Sequence, residues 1–229
     1  MHHNFERPIF VLGLPRSGTS MVAGALSLCG AWTGTTFPGG PENPRGFYEH
    51  VALRENVTKQ ILTFLECDPL GVNKLPRIET LPEITDLGAA VRGFIERDGY
   101  QQTSRWLYKD AKLTLIWPIF ARAFPLAQWI VVRRDEKSFI ASCLKTGFMV
   151  QHSEDPKFWQ ALAAQYNERL DLLHQNLEGQ VFELSTPEIA AGDFSSLENL
   201  VGELQLKFDP QQIAEFVDSG HWHNRPSTN

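Results

Sequence analysis

The feature that most constrains the fold is an apolar segment followed at once by a glycine-containing turn. Pro8 to Leu14 reads PIFVLGL, a short run of apolar, β-branched and aromatic residues that predicts a buried strand. Small and apolar residues at helical spacing then predict a helix from Ser17 to Leu28, ending before Gly30. A turn this tight between a strand and a helix directs backbone N–H groups toward one point, where an anion can bind.

Strands and helices alternate along the rest of the chain. Three more segments predict strands: Arg105 to Lys109, Gln128 to Arg133 and Gln180 to Leu184. Helices are predicted at 49–64, 82–97, 113–124, 135–144, 158–177, 197–204 and 210–218. This order predicts an α/β fold of the P-loop type, a parallel sheet covered by helices on both faces in three α/β/α layers, within a single domain over residues 1–229. Ligands of such sheets bind at the carboxyl ends of the strands.

Composition and charge exclude several classes of protein. The formal net charge of −6 argues against a general nucleic-acid binder, which needs a surplus of Lys and Arg over one face. No window approaches the roughly 18 apolar residues of a membrane helix, and Met1 to Arg7 has no apolar run typical of a signal peptide. Cys29, Cys67 and Cys143 have no metal-ligand spacing and are expected to be reduced. We therefore expect a cytoplasmic protein that binds neither nucleic acid nor membrane.

The turn after the first strand departs from the pattern of nucleoside triphosphatases. Gly13 and Gly18 have the Gly-x4-Gly spacing of a P-loop, but Thr19 stands where such enzymes carry Lys, and the positive charge comes earlier, at Arg16. No clear strand ends in an Asp that could support Mg²⁺, since Asp110 follows a weak strand and is preceded by Lys109. A transferred group with a single negative charge needs less neutralisation than a γ-phosphate, and fixed Arg and Lys side chains can supply it.

The segment PIFVLGLPRSGTS resembles the 5'-phosphosulfate-binding loop of sulfotransferases that use 3'-phosphoadenylyl sulfate (PAPS), in the PRSGT form of the protein-tyrosine, carbohydrate and bacterial members. The resemblance implies that the 5'-phosphosulfate is bound by Pro15, Arg16, Ser17, Gly18, Thr19 and Ser20. It also implies that Arg16 stabilises the charge that develops on the bridging oxygen. The product would be adenosine 3',5'-bisphosphate (PAP), and no metal would be required.

A second motif, at the end of the third strand, is similar to the 3'-phosphate site of the same family. An Arg closes the strand and a Ser follows eight positions later, which Arg134 and Ser142 satisfy. A guanidinium makes a forked contact with phosphate and a hydroxyl adds a directed one. Arg133 and Ser138 remain alternatives if the helix starts at a different residue.

The acceptor side is predicted from two further resemblances. Residues 107–113, LYKDAKL, are similar to the KDP-type strand end of the family, with Ala111 in place of the usual Pro, which implies that Lys109 faces the sulfuryl group. Residues 43–50, NPRGFYEH, resemble the NPxGxFE element of bacterial members. The first choice for the base that takes the acceptor's proton is Glu49, with His50 and Glu42 as rivals.

The sequence thus predicts a PAPS-dependent sulfotransferase that transfers a sulfuryl group to a hydroxyl, with a carbohydrate or small-molecule alcohol favoured as acceptor. The alternatives are a P-loop kinase acting on a small molecule and a non-catalytic nucleotide-binding protein. His221 and His223 lack partner ligands in the sequence, so a contact in packing or with the acceptor is favoured over a metal site. The sequence does not identify the acceptor or the oligomeric state.

Overall fold

The computed structural model describes residues 4–40 and 43–217 and contains a parallel four-stranded sheet. The strands are β1 (Ile9–Gly13), β2 (Leu107–Lys109), β3 (Gln128–Arg133) and β4 (Val181–Ser185), in the order β2-β1-β3-β4. All three neighbouring pairs are parallel, with Phe10 opposite Tyr108 of β2 and Trp129 of β3. Each predicted strand is confirmed to within two residues, although β2 begins later than Arg105.

Helices cover both faces of the sheet. Their bounds are α1 (Thr19–Leu28), α2 (Val51–Leu53), a π-helical turn (Arg54–Thr58), α3 (Lys59–Phe64), α4 (Leu87–Arg97), α5 (Leu113–Ala123), α6 (Glu136–Lys145), α7 (Gly147–Val150), α8 (Pro156–Asn176), α9 (Thr186–Ala190), α10 (Ser195–Glu203) and α11 (Pro210–Val217). Short 3₁₀ turns lie at Asn4–Glu6 and Ile78–Thr80. The turns α7 and α9 and the π-helical turn were not predicted.

The alternating side chains of the strands divide the core into two layers. Phe10 and Leu12 of β1 join a cluster that includes residues of α3, α4, α5, α6 and α8. Ile9 and Val11 point to the opposite face, where they pack with residues of α1, α10 and α11. Because successive side chains of a strand point to opposite faces, this buried strand needs apolar residues at every position, as the sequence has. The predicted three-layer α/β/α architecture is confirmed.

Three further expectations concern the cysteines, membrane-spanning helices and the last residues of the chain. Cys29 and Cys143 are buried free thiols, and Cys67 is free but only partly buried. Across 4–40 and 43–217, no helix combines the length and the apolar character needed to cross a membrane. The end of the last predicted helix, Asp218, lies outside the described residues, as do His221 and His223.

Candidate active site

The turn between β1 and α1 lies at the carboxyl end of the central strand β1 and has the backbone of a tight anion-binding loop. Arg16 and Gly18 both adopt left-handed conformations, with φ of 62° and 97°. A Cβ on Gly18 would lie 2.7 Å from Cγ2 of Thr186, and a Cβ on Gly13 would collide with the carbonyl oxygen of Val132 in β3. Both glycines are therefore required by close packing against neighbouring segments.

Ser17 presents an unsatisfied donor inside this loop. Its side chain is buried, and its hydroxyl has no hydrogen-bond partner among the residues that the structure describes. The loop backbone is fixed from outside, because the hydroxyls of Thr114 and Thr186 donate to the carbonyl oxygens of Gly13 and Ser17, each at 3.1 Å. A buried hydroxyl without a partner costs stability unless a ligand completes it. A bound anion fits this position.

The second predicted cluster lies against the first. Arg134 Nη1 donates to the carbonyl oxygen of Arg16 at 2.6 Å, and Arg16 Nε donates to the hydroxyl of Ser142 at 3.4 Å. Burial lowers the pKa of Arg134, and the nearby charge of Arg16 lowers it further, against the opposing effect of Asp135. An anion beside these like charges would relieve their repulsion. The structure thus brings Arg16 of the first predicted cluster into contact with Arg134 and Ser142 of the second.

The alternative residues for the second cluster are engaged elsewhere. Arg133 pairs with Asp171 at 2.5 Å and with Glu183 at 3.1 Å, which ties it to α8 and β4. Ser138 lies in the first turn of α6, where its backbone N–H donates to the cap residue Asp135 at 2.8 Å. This arrangement favours Arg134 over Arg133 and Ser142 over Ser138, and both assignments stay predictions.

Glu49 and Lys109, the two residues predicted to face the acceptor and the sulfuryl group, form an ion pair. Lys109 Nζ lies 2.8 Å from Oε1 of Glu49, and Arg54 Nε lies 2.8 Å from Oε2. The side chains of Lys109 and Glu49 are only 5% and 13% exposed, so this is a nearly dry contact. Burial alone would raise the pKa of Glu49, but the charges of Lys109, Lys112 and Arg54 outweigh it and lower that pKa to about 2.

The loop that carries Glu49 is bonded to the anion-binding turn. The hydroxyl of Ser20 donates to the carbonyl oxygen of Phe47 at 3.2 Å, and the N–H of Phe37 donates to the carbonyl oxygen of Glu49 at 3.0 Å. Tyr48 adopts a left-handed backbone with φ of 54°. Ser20, the second residue of α1, therefore links the anion-binding turn to the loop that carries Glu49.

His50, a rival of Glu49 for the role of base, caps a helix and lies beside a carboxylate. Its Nδ1 accepts a hydrogen bond from the N–H of Leu53 at 3.3 Å, which caps α2, and its Nε2 lies 3.2 Å from Oδ2 of Asp98. Because Nδ1 acts as acceptor, a neutral ring carries its proton on Nε2, facing Asp98. Burial lowers the pKa of His50 despite this carboxylate. Nδ1 is engaged by the helix cap and Nε2 lies beside Asp98, whereas Glu49 is the rival that contacts Lys109. Glu49 therefore stays the first choice for the base, and the third rival, Glu42, lies outside the described residues.

Sequence reasoning missed a buried polar network beneath this ion pair. Lys112 Nζ lies 2.7 Å from Oδ1 of Asp110, the hydroxyl of Tyr108 donates to Oδ2 of Asp110 at 2.9 Å, and Thr58 lies 2.6 Å from that hydroxyl. The sequence analysis considered Asp110 only as a poor candidate for supporting Mg²⁺ and Lys112 only as part of the segment LYKDAKL, and it did not predict that both are buried. The role of Arg54 was not predicted either, because its position depends on a π-helical turn that the sequence does not indicate.

Within residues 4–40 and 43–217 no group of three or more His, Cys, Asp or Glu side chains could hold a metal ion. The site itself offers hydroxyls, N–H groups, cations and the Glu49 carboxylate. Such a set can bind an anion at two places and offers a carboxylate beside them.

Comparisons with solved structures give the same fold. The sulfotransferase domain from the Synechococcus PCC 7002 olefin synthase matches with a TM-score of 0.58 at 16% identity, covering 96% of this chain and 78% of that one. The sulfotransferase domain from the curacin biosynthetic pathway gives 0.56 at 18% identity, covering 97% and 80%. Sulfotransferase STF9 from Mycobacterium avium gives 0.53 at 16% identity, covering 96% and 70%.

Comparison by sequence finds a family but no individual relative among curated proteins. No curated protein matches the sequence. The model of the sulfotransferase family matches residues 8–210, which include the anion-binding turn, the Glu49–Lys109 pair and the Arg134 cluster. Since that match runs through most of the chain, the protein belongs to the sulfotransferase family.

Proposed function

We propose that this protein is a PAPS-dependent sulfotransferase that transfers a sulfuryl group to a hydroxyl of a carbohydrate or small-molecule alcohol. The observation that carries the proposal is the contact between the two predicted clusters, with Arg134 donating to the backbone of Arg16 and Arg16 donating to Ser142. In PAPS a single ribose separates the 5' and 3' positions, so residues that bind both must lie close together. A nucleoside triphosphate lacks a 3'-phosphate, so it would leave Arg134 and Ser142 without the group that we assign to them.

The residues of the site divide into three roles. Ser17 and the loop N–H groups would hold the 5'-phosphosulfate, and Arg134 with Ser142 would hold the 3'-phosphate. When bound, the donor supplies the sulfuryl group and leaves as PAP. Arg16 and Lys109 place positive charge where the leaving phosphate oxygen gains negative charge. Glu49 takes the proton of the acceptor hydroxyl.

Glu49 needs a change in its surroundings to serve as that base. With a pKa of about 2 it is ionised at neutral pH, but its pairing with Lys109 makes it a weak proton acceptor. If the ammonium of Lys109 also contacted the negatively charged donor, it would stabilise the charge of Glu49 less. The pKa of Glu49 would then rise. The base would then become stronger when the donor is in place.

The donor assignment is tested by calorimetry with PAP in the absence of Mg²⁺. We expect Arg134→Ala to weaken PAP binding by about 10- to 150-fold, as for a lost charged contact of about 1.5 to 3 kcal/mol. Arg133→Ala is the matched control, because Arg133 pairs with Asp171 and Glu183 instead, and its affinity for PAP is expected to equal that of the wild type.

Other outcomes of the binding measurement point to other functions. A preference for ATP that depends on Mg²⁺ would support a kinase, and equal losses in the two variants would mean that the register of the second cluster is wrong. Turnover of labelled PAPS with a panel of hydroxyl acceptors separates an enzyme from a non-catalytic nucleotide binder. The cytoplasmic location stays a prediction.

A further inference from the structure

Arg54 holds the oxygen of Glu49 that Lys109 leaves available. Lys109, at the end of β2, contacts Oε1, whereas Arg54, at the start of the π-helical turn, contacts Oε2, each at 2.8 Å. The two cations therefore approach one carboxylate from different elements. A change at one contact does not by itself remove the other.

Arg54 is anchored by groups that do not involve Lys109. Its Nη1 donates to Oε1 of Glu55 at 2.6 Å, and its guanidinium lies over the ring of Phe37, 4.5 Å from the centroid. Phe37 also binds the backbone of Glu49 through its N–H. The side chain of Glu49 is thus fixed by Arg54, its backbone is fixed by Phe37, and Arg54 lies on Phe37.

We propose that Arg54 is a positioning residue that keeps Glu49 oriented while Lys109 turns to the sulfuryl donor. The inference rests on the proposed function, in which Lys109 serves the donor and Glu49 serves the acceptor. A carboxylate that lost Lys109 and had no second cation could rotate about its side-chain bonds. The attraction of a guanidinium whose Nε lies 2.8 Å from Oε2 opposes that rotation.

The ionisable groups that face Glu49 determine its pKa. They are Lys109 and Lys112 at the end of β2, Arg54 in the π-helical turn, and the buried phenol of Tyr108, whose raised pKa keeps it neutral. The three cations oppose the effect of burial on the pKa of Glu49. Loss of Arg54 is therefore expected to raise that pKa, and to raise it most when Lys109 is engaged by the donor.

The test is a carbon-13 NMR titration of the glutamate side-chain carboxyls, with Glu49 assigned by its loss in Glu49→Gln. In Arg54→Met, which keeps an apolar side chain over Phe37, we expect the Glu49 titration step to move up by about one pH unit or more. Added PAPS should raise the step further in Arg54→Met than in the wild type. Lys59→Met is the matched control, because Lys59 pairs with Glu55 at 2.8 Å and not with Glu49.

Two results would overturn the role of Arg54. One is a Glu49 step in folded Arg54→Met that coincides with that of the wild type. If Arg54→Met does not fold, Lys109→Met serves instead: Glu49 should stay ionised below its ordinary pKa of 4.5 on the strength of Arg54 and Lys112, and an ordinary value would contradict the proposal. Failure of PAP to bind would count against the proposed function, whereas unchanged titrations with intact PAP binding would count against Arg54 alone.

Discussion

Single charged residues gather positive charge locally in this acidic protein. Arg16 follows β1, Lys109 ends β2 and Arg134 follows β3, in a chain whose formal net charge is −6. A few cations gathered at strand ends suit a small anionic ligand, because a polyanion would meet the negative charge of the rest of the surface. Glu49 pairs with Lys109 and lies near Lys112 and Arg54, so its protonation is the residue-level property on which the proposed chemistry depends.

His50 is expected to make the folded state less stable as the pH falls. Burial lowers its pKa, so the unfolded chain, with a pKa near the ordinary 6.5, takes up a proton before the folded chain does. The contribution of His50 is fully present above about pH 6.5 and is lost as the pH falls toward the lower pKa of the folded state. The asparagine of His50→Asn can still accept from the N–H of Leu53 and does not titrate.

Urea denaturation at about pH 7 and about pH 5.5 measures this effect. The free energy of unfolding should fall further in the wild type than in His50→Asn, by up to about 1 kcal/mol. Equal losses in the two proteins would show that His50 is not the group responsible. Unchanged PAP affinity in the variant serves as the control for an intact nucleotide site.

At the scale of elements, the strands were predictable from the sequence, whereas the surroundings of Glu49 were not. Anion binding by the two motifs stays a prediction. The bounds of β3 follow from its apolar run, and the turn at Gly13 follows from a local spacing. The contact between Arg16 and Ser142 joins residues 126 positions apart, so only the sheet order reveals it. The π-helical turn carrying Arg54 depends on packing, because hydrophobic periodicity predicted an uninterrupted helix there.

The helix α1 is expected to need a glycine at position 24. A Cβ there would lie 2.8 Å from Cζ of Tyr48 and would collide with the ring of Phe216 in α11. Although alanine favours an exposed helix, Gly24→Ala should destabilise the fold by about 1–3 kcal/mol, as overpacking does. The displaced Tyr48 is the neighbour of Glu49 in the chain, so the variant should also disturb the acceptor side.

Gly202→Ala provides the matched comparison for Gly24→Ala. Gly202 lies in α10, and a Cβ there would meet nothing within 4 Å. Chemical denaturation should show a change within about 1 kcal/mol, on the stabilising side. A stability gain of similar size in both variants would contradict the packing that we describe between α1, Tyr48 and α11.

At the scale of the whole molecule, the order of the sheet explains how distant segments form one site. Strand β1 lies between β2 and β3, so the residues that follow these three parallel strands emerge at the same edge. Helices of one layer carry Ser142 and Arg54 to this edge, while α1 of the other layer begins at the anion-binding turn. The site is thus a product of the topology, since no single element holds it.

A crystal structure of the protein with PAP, grown without Mg²⁺, tests the central claim most directly. We predict one nucleotide at the strand ends, with its 5'-phosphate against the hydroxyl of Ser17 and the loop N–H groups, and its 3'-phosphate within hydrogen-bond distance of Arg134 and Ser142. A nucleotide that leaves either cluster without a phosphate contact, or that binds at another edge of the sheet, would contradict the account.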